Sequence, residues 1–149
     1  MKILIRLDLN VPIKNGIVKD RSRIDNYKDY INQLTKNNKL TVITHLGRPK
    51  GKQAELSTKN LIKELEKSWN KKVIFQESYN PQEIQSALKN LNKNEILLLE
   101  NTRFFEFEKS NDLKVAKKLA QSFDKFIFDA FSCAHRKHMS TNAITNFLP

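Results

Sequence analysis

Arginines and short polar side chains recur just beyond the apolar runs of this chain, a pattern suited to gripping a small anion. Asp8 and Asn10 follow the run Lys2–Arg6, and His45 and Arg48 follow Lys39–Thr44. Glu100, Asn101 and Arg103 follow Glu95–Leu99; Asp129, His135, Arg136 and His138 follow Lys125–Phe128. Arg23 lies in a helical segment that starts near the same rim. A guanidinium presents a planar fork that matches phosphate or carboxylate oxygens in pairs. Each charge-assisted hydrogen bond is worth about 1.5–3 kcal/mol net. Several of them on one small anion give micromolar to millimolar binding after the entropic cost of association. Taken alone, Asp8 and Asn10 read equally well as loop geometry before Val11-Pro12.

The segment His45-Leu46-Gly47-Arg48-Pro49-Lys50-Gly51 concentrates this chemistry, with two of the chain's three glycines in it. Other chemistries fit less well. His135 and His138 are three apart, but no Cys, Asp or Glu follows at a ligand spacing, so no metal site is expected. Cys133 lies beside His135, and a nucleophile and its base normally meet across a fold rather than along the chain. Neither G-x-x-x-x-G-K-[ST] nor G-x-G-x-x-G occurs, so no nucleotide cofactor is expected on this chain.

Elements that bring such residues together are legible as alternating strands and helices. Strands are expected at Lys2–Arg6, Lys39–Thr44, Val73–Phe75, Glu95–Leu99 and Lys125–Phe128. Asn15-Gly16 suits a turn in the long loop after the first strand. Ser22 is expected to start a helix with Asp25 closing an approximate capping box, and Ile24, Tyr27, Ile31 and Leu34 share its face. Ser57 caps the next helix, whose face is Leu61, Ile62, Leu65 and Trp69. Asn80-Pro81-Gln82-Glu83 combines a capping Asn, Pro at the first position and Glu to close the box. Ile84, Ala87, Leu88 and Leu91 supply that helix's apolar face; Leu113, Ala116, Ala120 and Phe123 supply the next. Ser140 or Thr141 begins a last short helical turn. Strands apolar on both faces, separated by amphipathic helices, predict an α/β, three-layer sandwich with a mainly parallel, Rossmann-like sheet. Ligands of such sheets bind beyond the carboxyl ends of the strands.

Composition narrows the class. The 149 residues suit one domain, and a 39% hydrophobic content predicts a folded globule. No apolar run approaches the roughly 20 residues that span a bilayer, so no membrane partner is expected. Cys133 is the sole cysteine, which forbids an intrachain disulfide and points to a reducing cytoplasm. The net charge of +11 raises nucleic acid as a partner, but the lysines are spread along helices among acids without a dense basic block. Solvated surface and steering of a small anionic substrate account better for that charge. A non-catalytic anion- or nucleic-acid-binding module is the alternative reading, and an enzyme acting alone on another phosphorylated metabolite is a third.

In order, these segments resemble the N-terminal domain of phosphoglycerate kinases. Arg6-Leu7-Asp8-Leu9-Asn10-Val11-Pro12 resembles that family's R-x-D-[FL]-N-V-P, and Asp20-Arg21-Ser22-Arg23-Ile24 its D-x-[ST]-R-I. His45–Gly51 is similar to H-L-G-R-P-x-G, and Leu97–Phe104 to L-L-L-E-N-x-R-F. Asp129–Phe131 and Ala134–His138 look like D-A-F-x-x-[AS]-H-R-x-H. The resemblance implies a domain that binds 3-phosphoglycerate or 1,3-bisphosphoglycerate, in a monomeric glycolytic kinase whose hinge closure unites two domains. It places Asp8 and Asn10 at the glycerate hydroxyl and carboxylate. It places His45, Arg48, Arg103 and Arg136 on the non-transferring phosphate, and makes Arg23 the catalytic charge stabiliser. The magnesium nucleotide, as Mg-ATP or Mg-ADP, is implied to bind a C-terminal domain outside these 149 residues. This chain alone is then expected to bind phosphoglycerate weakly without turnover. It departs from the family pattern at Ser132-Cys133, where Gly-Thr is frequent, and at Glu77–Pro81.

Overall fold

A computed structural model describes residues 1–149. Its centre is a five-stranded sheet built from β1 (Lys2–Leu7), β4 (Lys39–Ile43), β5 (Lys72–Gln76), β6 (Glu95–Leu99) and β7 (Lys125–Asp129), in the order β5-β6-β4-β1-β7. Every pairing in it is parallel. A small antiparallel ribbon, β2 (Ile13–Lys14) with β3 (Ile17–Val18), hangs from the loop after β1. Asn15 and Gly16 both take positive φ there, 53° and 73°, the turn conformation that splices two short strands. The Asn-Gly pair thus makes a hairpin, with Ile13 and Val18 opposite each other, and not only a loop bend.

Alternation along the strands sends side chains to two separate cores. Ile3, Ile5, Leu7, Leu40, Val42, Ile96 and Leu98 face one layer, with Ile24, Ile31, Leu65 and Trp69. That layer is α1 (Ser22–Asn26), α2 (Lys28–Leu34) and α3 (Ile62–Trp69). Leu4, Ile43, Leu97 and Leu99 face the other, with Ile84, Leu88, Ala116 and Leu119. This second layer is α4 (Pro81–Asn90), the single turn α5 (Glu106–Lys109) and α6 (Leu113–Ala120). The three-layer, Rossmann-like α/β architecture is therefore the observed one. Trp69 is fully buried, and its indole N–H donates to the Ile24 carbonyl at 2.8 Å, locking α3 to α1. No helix is long and apolar enough to cross a membrane.

Local details depart from the sequence expectations at five points. Ser22 is the first residue of α1 rather than its cap; Asp20 accepts the Ser22 N–H at 2.9 Å instead. Asp25 does not close a box, because Arg21 and the Ser68 hydroxyl hold its carboxylate. The first helix breaks at Tyr27, whose N–H bonds back three residues to Ile24. Asn80 caps α4 by accepting from Gln82 and Glu83, but the Glu83 carboxylate accepts from Gln76 and not from the cap. Leu113 is 54% exposed; Leu119 takes the buried place on α6.

Candidate functional site

Parallel strands put all their carboxyl ends on one rim, and four loops meet there. Thr44 ties two of them together by accepting the Leu9 N–H at 3.1 Å. Asn10 accepts the Gly47 N–H through Oδ1 at 2.9 Å, joining the loop after β1 to the loop after β4. Arg103 Nη1 donates to the Gly47 carbonyl at 2.9 Å, which adds the segment after β6. Buried Asn101 donates to the carbonyls of Leu46 and Leu56, each at 2.9 Å. Gly47 sits at φ +58°, and a Cβ there would lie 3.1 Å from a Leu56 methyl. The backbone therefore favours glycine here, and a Cβ would also make the Leu56 methyls shift by a few tenths of an ångström.

Asn10, Arg23, His45, Arg48, Arg103 and Arg136 line one pocket of about 300 Å³, with Gly47, Ser132 and Cys133. Six of the seven side chains to which the family resemblance gives roles thus surround the same space. Asp8, the seventh, stands behind Arg23. Its Oδ1 accepts from Arg23 Nη1 at 2.9 Å and its Oδ2 from the Ser132 hydroxyl at 2.7 Å. Arg23 also donates to the Asn10 carbonyl at 3.2 Å. A second recess of about 410 Å³, lined by Asn10, Val11, Pro12, Asp20, Ser22 and Arg23, adjoins the first. Arg23 is shared between them.

The electrostatics favour an anion. No ion pair reaches Arg48, Arg103 or Arg136; Arg23 alone of the pocket arginines has a carboxylate partner. Burial and the neighbouring Arg136 and Arg6 guanidiniums lower the Arg103 pKa. Burial pushes the His45 imidazole down to about 3, with Arg6 and Arg103 adding to the effect, so the ring is neutral at pH 7. An anion entering this pocket would relieve the mutual repulsion of its walls.

Other strand-end residues serve as scaffold. Glu100 is buried and accepts from Ser57, the Thr58 N–H and the Asn101 N–H, pinning the segment before α3. Asp129 contributes its carbonyl, which accepts from the Tyr27 hydroxyl at 2.9 Å. His138 is half-buried with a lowered pKa, caused first by burial, and lies outside the pocket lining. Sequence reasoning gave no role to Ser132, named only as a departure from the family pattern, or to Arg6, named only as a strand end and the first residue of its motif. The guanidinium of Arg6 is buried beside His45. The signal available was an arginine among the isoleucines and leucines of a central strand.

A larger recess of about 860 Å³ lies at the opposite end of the sheet, lined by Lys2, Lys36, Lys39, Lys89 and Lys93 among others. Lys39 among them has another role. Carboxyl ends of helices converge there, and Lys39 Nζ donates to the Leu88 carbonyl at 2.6 Å at the end of α4. Cations at helix carboxyl ends offset the helix dipole. That recess therefore carries no comparable case for a ligand.

The phosphoglycerate kinase family model matches residues 1–149. The phosphoglycerate kinase of a Wolbachia from Drosophila simulans is 43% identical over 148 residues, which is 99% of this chain and 37% of that relative. The phosphoglycerate kinase of Wolinella succinogenes is 40% identical, again over 99% of this chain and 37% of its own length. Among solved structures, phosphoglycerate kinase from Coxiella burnetii superposes with a TM-score of 0.81 at 30% identity, over 99% of this chain and 37% of that one. The crystal structure of the Pyrococcus horikoshii enzyme gives a TM-score of 0.86 at 26% identity. The chain spans little more than a third of the length of these relatives. With its whole length matched by the family model, and with this sheet and these strand-end arginines, the chain belongs to the phosphoglycerate kinase family.

Proposed function

We propose that these 149 residues form the phosphoglycerate-binding part of a glycolytic phosphoglycerate kinase. The ligand is 3-phosphoglycerate or 1,3-bisphosphoglycerate, and the reaction is reversible phosphoryl transfer with a magnesium nucleotide. One observation carries the reading: Arg48, Arg103 and Arg136, none with a carboxylate partner, share one small pocket with His45. That donor set fits a phosphate.

In this reading His45, Arg48, Arg103 and Arg136 hold the non-transferring phosphate. The amide NH2 of Asn10, whose Oδ1 is spent on Gly47, reaches the carboxylate region. Asp8 accepts from the glycerate hydroxyl. The reacting end of the ligand lies toward Arg23, at the border of the second recess. Arg23 there offsets negative charge that grows on the transferred group. Such transfer depends on positioning and charge stabilisation, with little covalent work for the protein.

In this reading the magnesium nucleotide is supplied by a separate nucleotide-binding unit. Amide NMR of the chain titrated with 3-phosphoglycerate tests the assignment. Shifts are expected at Asn10, Gly47, Arg103 and Arg136. Shifts confined to the lysine-lined recess around Lys39 and Lys93 would place the ligand elsewhere and overturn it.

A further inference from the structure

Arg6 is the one arginine wholly inside the molecule, 1% exposed, on the central strand β1. A buried guanidinium is expensive unless its N–H groups are satisfied, and replacing such groups with apolar residues is often neutral or stabilising. Its contacts run in two directions. On one side Nε donates to the Ser140 hydroxyl at 3.1 Å and Nη1 to the Leu7 carbonyl at 3.1 Å. Ser140 passes the link on, since its hydroxyl donates to Glu108 Oε2 at 2.6 Å and its N–H to Oε1 at 2.7 Å. Glu108 is itself fully buried, so the two opposite charges are bridged by one hydroxyl. On the other side Nη2 lies 2.9 Å from Nδ1 of His45, with Cys133 Sγ at 3.8 Å.

Guanidinium has donors only, and it stays charged. Nδ1 must therefore accept, and the ring proton must sit on Nε2. We propose that Arg6 is a positioning residue: braced by Ser140 and Glu108, its buried guanidinium fixes His45 as the Nε2–H tautomer, so that the ring always offers a hydrogen-bond donor to the anion. The proposal rests on the phosphoglycerate-binding reading for the identity of that anion, but not for the tautomer. An unconstrained neutral imidazole could equally present a bare Nε2, which would repel a phosphate oxygen.

The groups around His45 act together. Burial opposes protonation most; Arg6 from β1, Arg103 from the segment after β6 and Arg136 from beyond β7 add to it, while Asp8 favours it. Cys133 and Arg48 complete the surrounding wall. With burial and three cations set against a second proton, the donor does not depend on pH across the physiological range. The pocket thereby gains a neutral donor among its arginines, where a further positive charge would add repulsion.

Nitrogen-15 NMR of the imidazole of His45 in the unliganded chain reads the tautomer directly. The expected result is a proton on Nε2 and no titration from about pH 5 to about pH 8. In Arg6→Met, His45 is expected to populate both tautomers, because Nδ1 loses the donor that makes it an acceptor. A wild-type ring with its proton on Nδ1, or one that titrates near 6.5, would overturn the proposal. So would a folded Arg6→Met that keeps only the Nε2–H tautomer. The wild-type spectrum decides the matter even if Arg6→Met does not fold. It also stands apart from the ligand's identity, which the amide titration tests.

Discussion

Arg23 Nη1 rests 2.9 Å from Asp8 Oδ1, so the arginine at the pocket's border is held by a carboxylate before any ligand arrives. Arg23 is half-exposed, with a side-chain relative accessibility of 52%, and Asp8 is more buried at 16%. Exposed pairs of this kind contribute less than about 1 kcal/mol to stability. Their weight here is in orientation. Ser132, on the short turn after β7, fixes the other oxygen of Asp8 and so aims the same carboxylate.

Asp8→Asn should leave stability within about 1 kcal/mol of the parent. It should bind inorganic phosphate at least as well, because a negative charge has left the rim. It should bind 3-phosphoglycerate roughly 10-fold more weakly, through loss of the hydroxyl acceptor. Parallel titrations with the two ligands check this; equal losses for both would contradict the role given to Asp8.

Gly47→Ala should cost about 1 to 2 kcal/mol for the left-handed backbone alone. Its Cβ would also meet the Leu56 methyls at 3.1 and 3.3 Å. Asn10 and Arg103 both bond to the Gly47 backbone, so the strain should also loosen Arg48 and weaken anion binding. Urea denaturation measures the first effect and a phosphate titration the second. A variant as stable as the parent would show that this turn can rearrange freely.

Acid should destabilise the fold through His45. Its folded pKa, about 3, lies below the ordinary value, so between these limits the unfolded chain binds the extra proton. Stability should fall as pH drops below about 6.5, by about 1.4 kcal/mol per unit from this residue once well below it. His45→Gln should flatten that slope while weakening anion binding. Denaturation midpoints from pH 7 to pH 5 check it, and an unchanged slope in His45→Gln would assign the acid sensitivity to other groups.

Arg23→Ala, placed in a complete enzyme carrying this domain, should mainly lower kcat, because its contact strengthens as charge develops. Steady-state kinetics test it. An unchanged kcat with only a raised KM would reduce Arg23 to a binding residue.

Much of this was legible in the chain, for identifiable reasons. Glu95–Leu99 is apolar on both faces and forms β6 with those same ends. Asn80-Pro81 starts α4 because the amide caps two N–H groups and proline's missing N–H costs nothing there. The arginines after the strands were visible because parallel topology carries strand ends to one rim. What stayed hidden depends on long-range geometry. Arg6 and Ser140 are 134 residues apart, and nothing local marks their bond. Periodicity alone placed Leu113 inward, whereas it sits at the first position of α6 and faces solvent. The use of Asn10's oxygen on Gly47 could not be read from either residue's neighbours.

Calorimetric titration of the folded 149-residue chain with 3-phosphoglycerate tests the central claim most directly. Saturable heat is predicted in the micromolar to millimolar range, with affinity reduced roughly 10- to 100-fold in Arg136→Ala. A chain shown to be folded that gives no heat at millimolar ligand, or an Arg136→Ala isotherm that matches the parent's, would contradict the account.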